Sequence, residues 1–515
     1  VGTSRREHCA SKGCGPEGID LLSIFSESEG RGDVLTKTRQ GQIEGLPVNG
    51  GTAYLGIRFG EPPVDDLRFM PPLAATPWSG VHDGTRWPNR AMQSKKNGTM
   101  DQATPGKRSE DCLFLNVYTP AADGAGRPVM VWVHGGGFTG GGANEYDGRV
   151  LAREGNVVVV TINYRLGAFG FLNLEPLGDM FKGSASNGIR DIVLALEWVR
   201  DNIADYGGNP DNVTVFGESA GGKAILSLMG TPSAMGLYHK AIANSPAGAE
   251  ARPGDKTGLM AEKLGVKHAD LLVALRRLPA FSLQDAGLPA GYEVDGEVIT
   301  RSFMDAFADP NLRGVPMIIG TNRTEGTLFT PPDSPDEDMA RYEKSLAGSA
   351  RGVIGDRDAS NYVLGIKASY PDSNSKTWME IISSDHFRKT AVEVAELAGR
   401  AGCWMYRFDL DTTIPFRGKL MQTPHACEMA FTFNTFADDD CCVMTMHDAN
   451  ARGVRDLAEA WSATLTHFAH TGDPNGAGLP RWPAYDTDDR SVMLLDQVSQ
   501  VAKDPDATHR KLWMA

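Results

Sequence analysis

The run NVTVFGESAGG sets Ser219 between Gly217 and Gly221. A serine hydroxyl is a weak nucleophile until a base takes its proton and the backbone exposes it. The G-x-S-x-G spacing suits that task. A serine on a tight strand-to-helix turn carries its Oγ clear of the chain, and a Cβ on either glycine would press on neighbouring backbone. VTVF before it has the texture of a strand, and AGGKAILSLMG after it can form a helix. The first N–H groups of such a helix point at charge developing on an attacked carbonyl. G-x-S-x-G alone is common and often only a structural turn. The strand and helix around it make Ser219 a nucleophile candidate.

A second glycine run supplies what an attacked carbonyl needs. VMVWVHGGGFTGGG, residues 129–142, is an apolar strand opening into a loop whose backbone can approach a ligand closely. Gly136, Gly137 and Ala220, the residue after the nucleophile, are the candidate N–H donors to a tetrahedral oxyanion. One such donor is typically worth about 3 kcal/mol of transition-state stabilisation. Gly135, Gly137 and Gly140 also spell G-x-G-x-x-G, the dinucleotide fingerprint. That reading needs a helix at once and an acid about 20 residues on. The loop continues instead as GGANEYDG, and the next strand ends in Asn163 and Tyr164.

Elements of a particular kind must hold these two loops together. From Val129 onward, strand-like segments (VMVWVH, VVVVTINY, NVTVFGES) alternate with helix-like ones such as DIVLALEWVRDNI. That alternation predicts an α/β fold, with a large, mostly parallel sheet covered by helices on both faces. Before it, VLTKTRQGQIEG and TAYLGIRF read as short antiparallel strands. Residues 1–33 are polar and weakly periodic, an N-terminal extension to a domain spanning 34–515. Residues from about 250 to 400 read as helical insertions over the sheet's C-terminal edge and the active site. PPDSPDED at 331–338 reads as a solvated acidic loop. A late helix over about 454–470 should stop at Gly472 and Pro474.

Composition narrows the partners. The chain has 515 residues, a formal charge of −14 and a pI near 5.3. This argues against nucleic acid or an anionic membrane as a bulk partner. No run approaches the ~20 apolar residues of a membrane span, so no transmembrane anchor is expected. VGTSRREHCASKGCG at the start lacks the apolar stretch of a signal peptide. The compartment stays open, secreted or periplasmic if a leader was removed. Seven cysteines leave at least one unpaired within the chain, and no paired CxxC or HxxxH spacing suggests zinc. No metal or organic cofactor is expected. Asn97, Asn212 and Asn322 begin Asn-x-Thr sequons, a pattern short enough to arise by chance.

Longer motifs then resemble a known family. EDCLFLNVYTP at 110–120 and YGGNPDNVTVFGESAG at 206–221 look like the two signatures of the type-B carboxylesterases, relatives of the cholinesterases with the α/β-hydrolase fold. Tyr206 stands where Phe is usual. LGIRFGEPP, LRFMPP and TGDPN resemble further segments, so the likeness runs from about Val34 to Ser499. It implies a serine esterase acting on a small-molecule ester. Triad order in this fold is Ser, acid, His, so acid and base follow Ser219, as eight of the eleven histidines do. His467 and His470 sit on the late helix, where a structural histidine is the better reading. His425, in TPHACEMAFTF, is similar to the family's H-G-x-E block with Ala426 in place of Gly. Glu325, in MIIGTNRTEGTLF, resembles the family's acid. Glu218 would lie beside the nucleophile, and Ser245 would brace the acid–base pair.

The departures are as informative. Cys112 occupies the signature cysteine, yet no cysteine lies between 15 and 111 to pair with it. Cys9 or Cys14 would have to reach it. Cys9–Cys14 is a possible local pair, Cys427 a packing residue or a partner of Cys403, and a bridge between neighbours Cys441 and Cys442 would be strained. MQSKKNGTMDQATPGKRS lacks the Trp of choline-selective members and carries Lys95, Lys96, Lys107 and Arg108 instead. Lys223 stands four residues after Ser219, where the family has a small residue. It could pair with an anionic substrate group, or its head could reach solvent or an internal carboxylate. Within the family the chain is similar to bacterial fumonisin esterases, which implies release of tricarballylic acid from a long amino-polyol. The alternatives are a general esterase or lipase for neutral acyl esters, and a non-catalytic adhesion or scaffold member of the fold.

Overall fold

The computed structural model describes residues 34–94, 104–248 and 254–514, apart from 289, 313, 331–335, 356, 417, 419 and 439–444. The extension at 1–33, Lys95, Lys96, Asn97 and the cysteines at 9, 14, 441 and 442 lie outside the described residues.

Antiparallel strands β1 (Val34–Thr38), β2 (Gly41–Val48) and β3 (Gly51–Arg58) lead into β4 (Phe114–Thr119). The strands that follow are β5 (Arg127–Val133), β6 (Val158–Ile162), β7 (Gly208–Glu218), β8 (Lys240–Asn244), β9 (Met317–Asn322), β10 (Cys403–Phe408), β11 (Ser491–Leu495) and β12 (Gln500–Lys503). They join one sheet in the order β1-β2-β3-β4-β6-β5-β7-β8-β9-β10-β11-β12, and Val81–Gly84 adds to β2. From β6 to β11 neighbouring strands run parallel, while β4 and β12 pair antiparallel at the two sides.

The apolar runs are continuous because both faces are covered. Val131, Val133, Val160, Val215 and Ile319 pack on one side under helices α1 (Asn187–Asn202) and α2 (Ala220–Leu228). Met130, Trp132, Val159, Phe216 and Ile318 face the other way. Among the described residues, three α-helices stand between β9 and β10: α3 (Asp336–Ile354), α4 (Ala359–Ser369) and α5 (Ser375–Ala398). They are the expected helical insertions. The acidic segment read as a loop is helical from Asp336, since acidic residues favour a helix's first turn. Helix α6 (Val454–Thr471) covers the second face with Trp461, Leu465 and Phe468, and ends on Gly472 in the left-handed conformation. Helix α7 (Ala507–Met514) closes the described chain.

Readings left open at three residues are narrowed. Cys112, Cys403 and Cys427 are all buried free thiols, so Cys427 is a packing residue and not a partner of Cys403, and among the described residues nothing bridges Cys112. Burial pushes the Cys403 thiol up to about 12. Asn322 is fully buried and its amide donates to Pro424 O and Glu428 Oε2, so its sequon cannot accept a sugar in the folded chain.

Candidate active site

Ser219 stands between the last residue of β7 and the first of α2, with φ 57° and ψ −121°. This is a sparsely populated conformation for a residue with a Cβ, and holding it costs on the order of 1–3 kcal/mol. The fold enforces it. Ser219 N–H donates to Asn244 O at the end of β8, and Ser219 O accepts from Lys223 N, both at 2.9 Å. A Cβ on Gly221 would lie 2.0 Å from Val133 O, so only glycine lets α2 start so close to β5. The expected strand, turn and helix are all present.

The H-G-G-G loop leaves β5 beside this turn. Gly136 and Gly137 have φ of 105° and 62°, which glycine alone adopts without strain. His134 is buried and stacks on Tyr164 at 4.5 Å, and Tyr164 OH donates to His134 O. Burial pushes the imidazole down to about 4. His134 is therefore a neutral support of the loop. No helix opens directly after the glycines; a short 3-10 turn at Ala143–Glu145 follows.

The candidate acid follows β9, and the candidate base lies in the segment between β10 and α6. Glu325 follows β9, and none of its surface is exposed. Its Oε1 accepts from Asn322 N and Ser245 Oγ, and its Oε2 from His425 Nδ1, each at 2.6 Å. Every carboxylate lone pair that matters is thus directed, and the imidazole's tautomer is set by its acceptor. On the other edge, Glu218 Oε1 lies 2.9 Å from His425 Nε2, an ion-pair distance without hydrogen-bond alignment. Burial alone would push the His425 imidazole down. The charges of Glu218 and Glu325 outweigh it and hold it well above its usual range. The rings of Phe387 and Phe329 stand 4.5 and 5.4 Å from the imidazole.

Sequence reasoning passed over Glu428. It is fully buried, bonded through one oxygen to Asn322, and pushed up to about 8 by burial and by the charges of Glu218 and Glu325. The signal was present, since Glu428 is the acid of the H-x-x-E spacing that singled out His425. The Phe387 shelf had no such signal. His467 and His470 remain apart on α6, where His470 Nε2 meets Gly155 O.

Lys223 is half-buried, with Nζ 5.4 Å from the Tyr292 ring centre. It lines a cavity of about 170 Å³ with Phe138, Phe171, Lys256, Tyr292 and Glu293. Phe138 follows the H-G-G-G loop, so the cavity adjoins the candidate oxyanion donors. Lys256 pairs with Glu293 at 2.9 Å. Among the described residues no cluster of His, Cys, Asp and Glu could hold a metal, and no helix is long and apolar enough to cross a membrane.

A hydroxyl on a strained turn, a buried imidazole and a carboxylate on its far nitrogen can together perform acyl transfer. Comparison with known proteins agrees in class. The family model described as the carboxylesterase family matches residues 33–513. The para-nitrobenzyl esterase of Bacillus subtilis is 32% identical, over 93% of this chain and 98% of that protein. Human cocaine esterase is 32% identical, over 93% and 90%. The crystal structure of the Geobacillus stearothermophilus carboxylesterase EST55 superposes with a TM-score of 0.80 at 33% identity, covering 93% of this chain and 99% of that one. The chain belongs to the carboxylesterase family. Its fold is the α/β-hydrolase fold, and it is a carboxylic ester hydrolase.

Proposed function

We propose that the chain hydrolyses carboxylic esters through a Ser219–His425–Glu325 triad and an acyl-enzyme intermediate. The observation that carries this reading is the 2.6 Å bond from His425 Nδ1 to Glu325 Oε2, with His425 Nε2 2.9 Å from Glu218, the residue before the strained Ser219. His425 takes the proton as Ser219 Oγ attacks the ester carbonyl. The N–H groups of Gly136, Gly137 and Ala220 receive the oxyanion. The imidazolium formed lies between Glu218 and Glu325, which both stabilise its charge. It returns its proton to the leaving alcohol. A water deprotonated by the same imidazole then releases the acid and frees Ser219. Ser219→Ala should lower kcat by about 10⁶ if the three residues act as a unit. Substantial residual esterase activity would mean that another group is the nucleophile.

A finer reading concerns the substrate. An ester bearing free carboxylates, of the fumonisin and tricarballylic kind, is supported by two lysines in the cavity beside the oxyanion loop, Lys223 and Lys256. Glu293 offsets the charge of Lys256. The names of the relatives, para-nitrobenzyl and cocaine esterase, favour the other reading, a general esterase. Lys223→Ala separates them. On the anionic reading kcat/KM falls about tenfold or more for tricarboxylic esters and stays level for neutral ones. An unchanged ratio between the two substrate classes rules the anionic pocket out.

A further inference from the structure

Helix α5 carries a turn, Ser384 to Arg388, that touches the acid–base pair from behind. Ser384, Asp385, Phe387 and Arg388 are all buried. Two bonds tie this turn to the Glu325 loop, one on each side of the acid. Gly326 N–H donates to Ser384 Oγ at 2.9 Å, and Arg388 Nη2 donates to Arg323 O at 2.6 Å. Between them, Phe387 lays its ring 4.5 Å from that of His425. A second ring, Phe329, lies parallel to Phe387 at 5.9 Å.

The turn is fixed from its other side by the end of the chain. Asp385 has no exposed surface and is surrounded by donors. It accepts from Tyr362 OH at 2.6 Å, Arg388 Nη1 at 2.9 Å and Trp513 Nε1 at 3.2 Å, and it pairs with His509 Nδ1 at 2.8 Å. The far nitrogen of His509 meets Tyr370 OH at 2.8 Å. Arg388 Nε also faces Asp506, which bonds Arg407 on β10. Burial would raise the Asp385 carboxyl, but the charges and bonds of His509 and Arg388 hold it below its usual range. Trp513 and His509 both belong to α7. A buried charge with so many satisfied partners has one geometry available to it, because leaving any partner unpaired is expensive.

We propose that the Ser384–Arg388 turn is the positioning brace of the acid–base pair, with Phe387 the positioning residue for His425 and the pairing of Asp385 on α5 with His509 on α7 setting where the turn sits. Asp385 and His509 act through the backbone of α5. A ring can fix an imidazole only if the helix beneath it is fixed. An imidazole displaced by about 1 Å can lose up to a hundredfold in rate while substrate binding is untouched.

The inference rests on the triad proposed above, and its test keeps the two apart. Phe387→Leu, His509→Ala and the double variant are compared in full-length enzyme for kcat, KM, pH dependence and melting temperature. Phe387→Leu should lower kcat about tenfold with KM nearly unchanged. It should also move the acid limb of kcat/KM to higher pH. The imidazole, faced by Glu218 and Glu325, then loses part of the burial that favours its neutral form. His509→Ala should lower kcat severalfold, and His509→Asn, which keeps a donor toward Asp385, should recover most of it. In the double variant the two losses should not multiply, since both act through one turn. Folded single variants with kcat within about twofold of the parent, or losses that multiply, overturn the brace. Activity retained in Ser219→Ala would instead remove the triad itself.

Discussion

The Ser219 turn and the Glu325–His425 pair are positioned by different means. Ser219 is placed by backbone. One contiguous segment supplies the strand, the turn and the helix, and the close approach at Gly221 forbids any other path. The acid–base pair is placed largely by side chains from distant segments, Ser245 after β8, Ser384 to Arg388 on α5 and His425 before Glu428, with one nearby backbone N–H, that of Asn322, on Glu325. A backbone device fails as a whole when disturbed. A side-chain network can lose one member and keep its fold. The first should therefore couple activity to stability, and the second should separate them.

Paired substitutions test that separation. Glu325→Gln keeps the shape of the acid but cannot hold the imidazole's tautomer or stabilise its charge. The expected loss in kcat is about 10⁴, with folding largely intact. Gly221→Ala drives a methyl group against Val133 O at 2.0 Å. It should destabilise the fold by about 3 kcal/mol or more and lose activity with it. If denaturant midpoints show Glu325→Gln to be the less stable of the two, the contrast is wrong.

A smaller effect sharpens the acid–base side. Its imidazole must be neutral to accept the proton, and two carboxylates favour the charged form. The acid limb of kcat/KM should accordingly lie above the usual histidine value of about 6.5. Glu218→Gln removes one of the two charges, so the limb should move to lower pH. Movement to higher pH would contradict the electrostatics. The smallest effect is one of stability. Ala426 stands at φ 65°, where a Cβ is strained. Ala426→Gly should raise stability by about 0.5–1 kcal/mol, read from denaturant midpoints, while leaving His425 in place.

The same contrast explains what could be read from the sequence. The turn at Ser219 was legible because its strand, glycines and helix are neighbours in the chain. So was the alternation that builds the parallel sheet, since strands buried on both faces must be apolar throughout. That Glu325 and His425 would meet was legible only through motif and chain order. Nothing local distinguishes Glu325 from a solvated loop acid until Ser245 and Asn322 fold against it. Helix α5 was not legible as a brace. Ser384, Asp385 and Arg388 look like surface residues until α7, more than a hundred residues on, supplies His509 and Trp513. Cys112 stands apart from its family signature in the same way. No described cysteine bridges it, and packing keeps it buried.

The central claim is that Ser219 is made nucleophilic by His425. Reaction with an active-site-directed organophosphonate, followed by peptide mapping, reads it directly. The account predicts about one phosphonyl group per chain, on the peptide carrying Ser219, and a labelling rate that collapses by orders of magnitude in His425→Ala. Labelling at another serine, or labelling of Ser219 at an undiminished rate without His425, would contradict it.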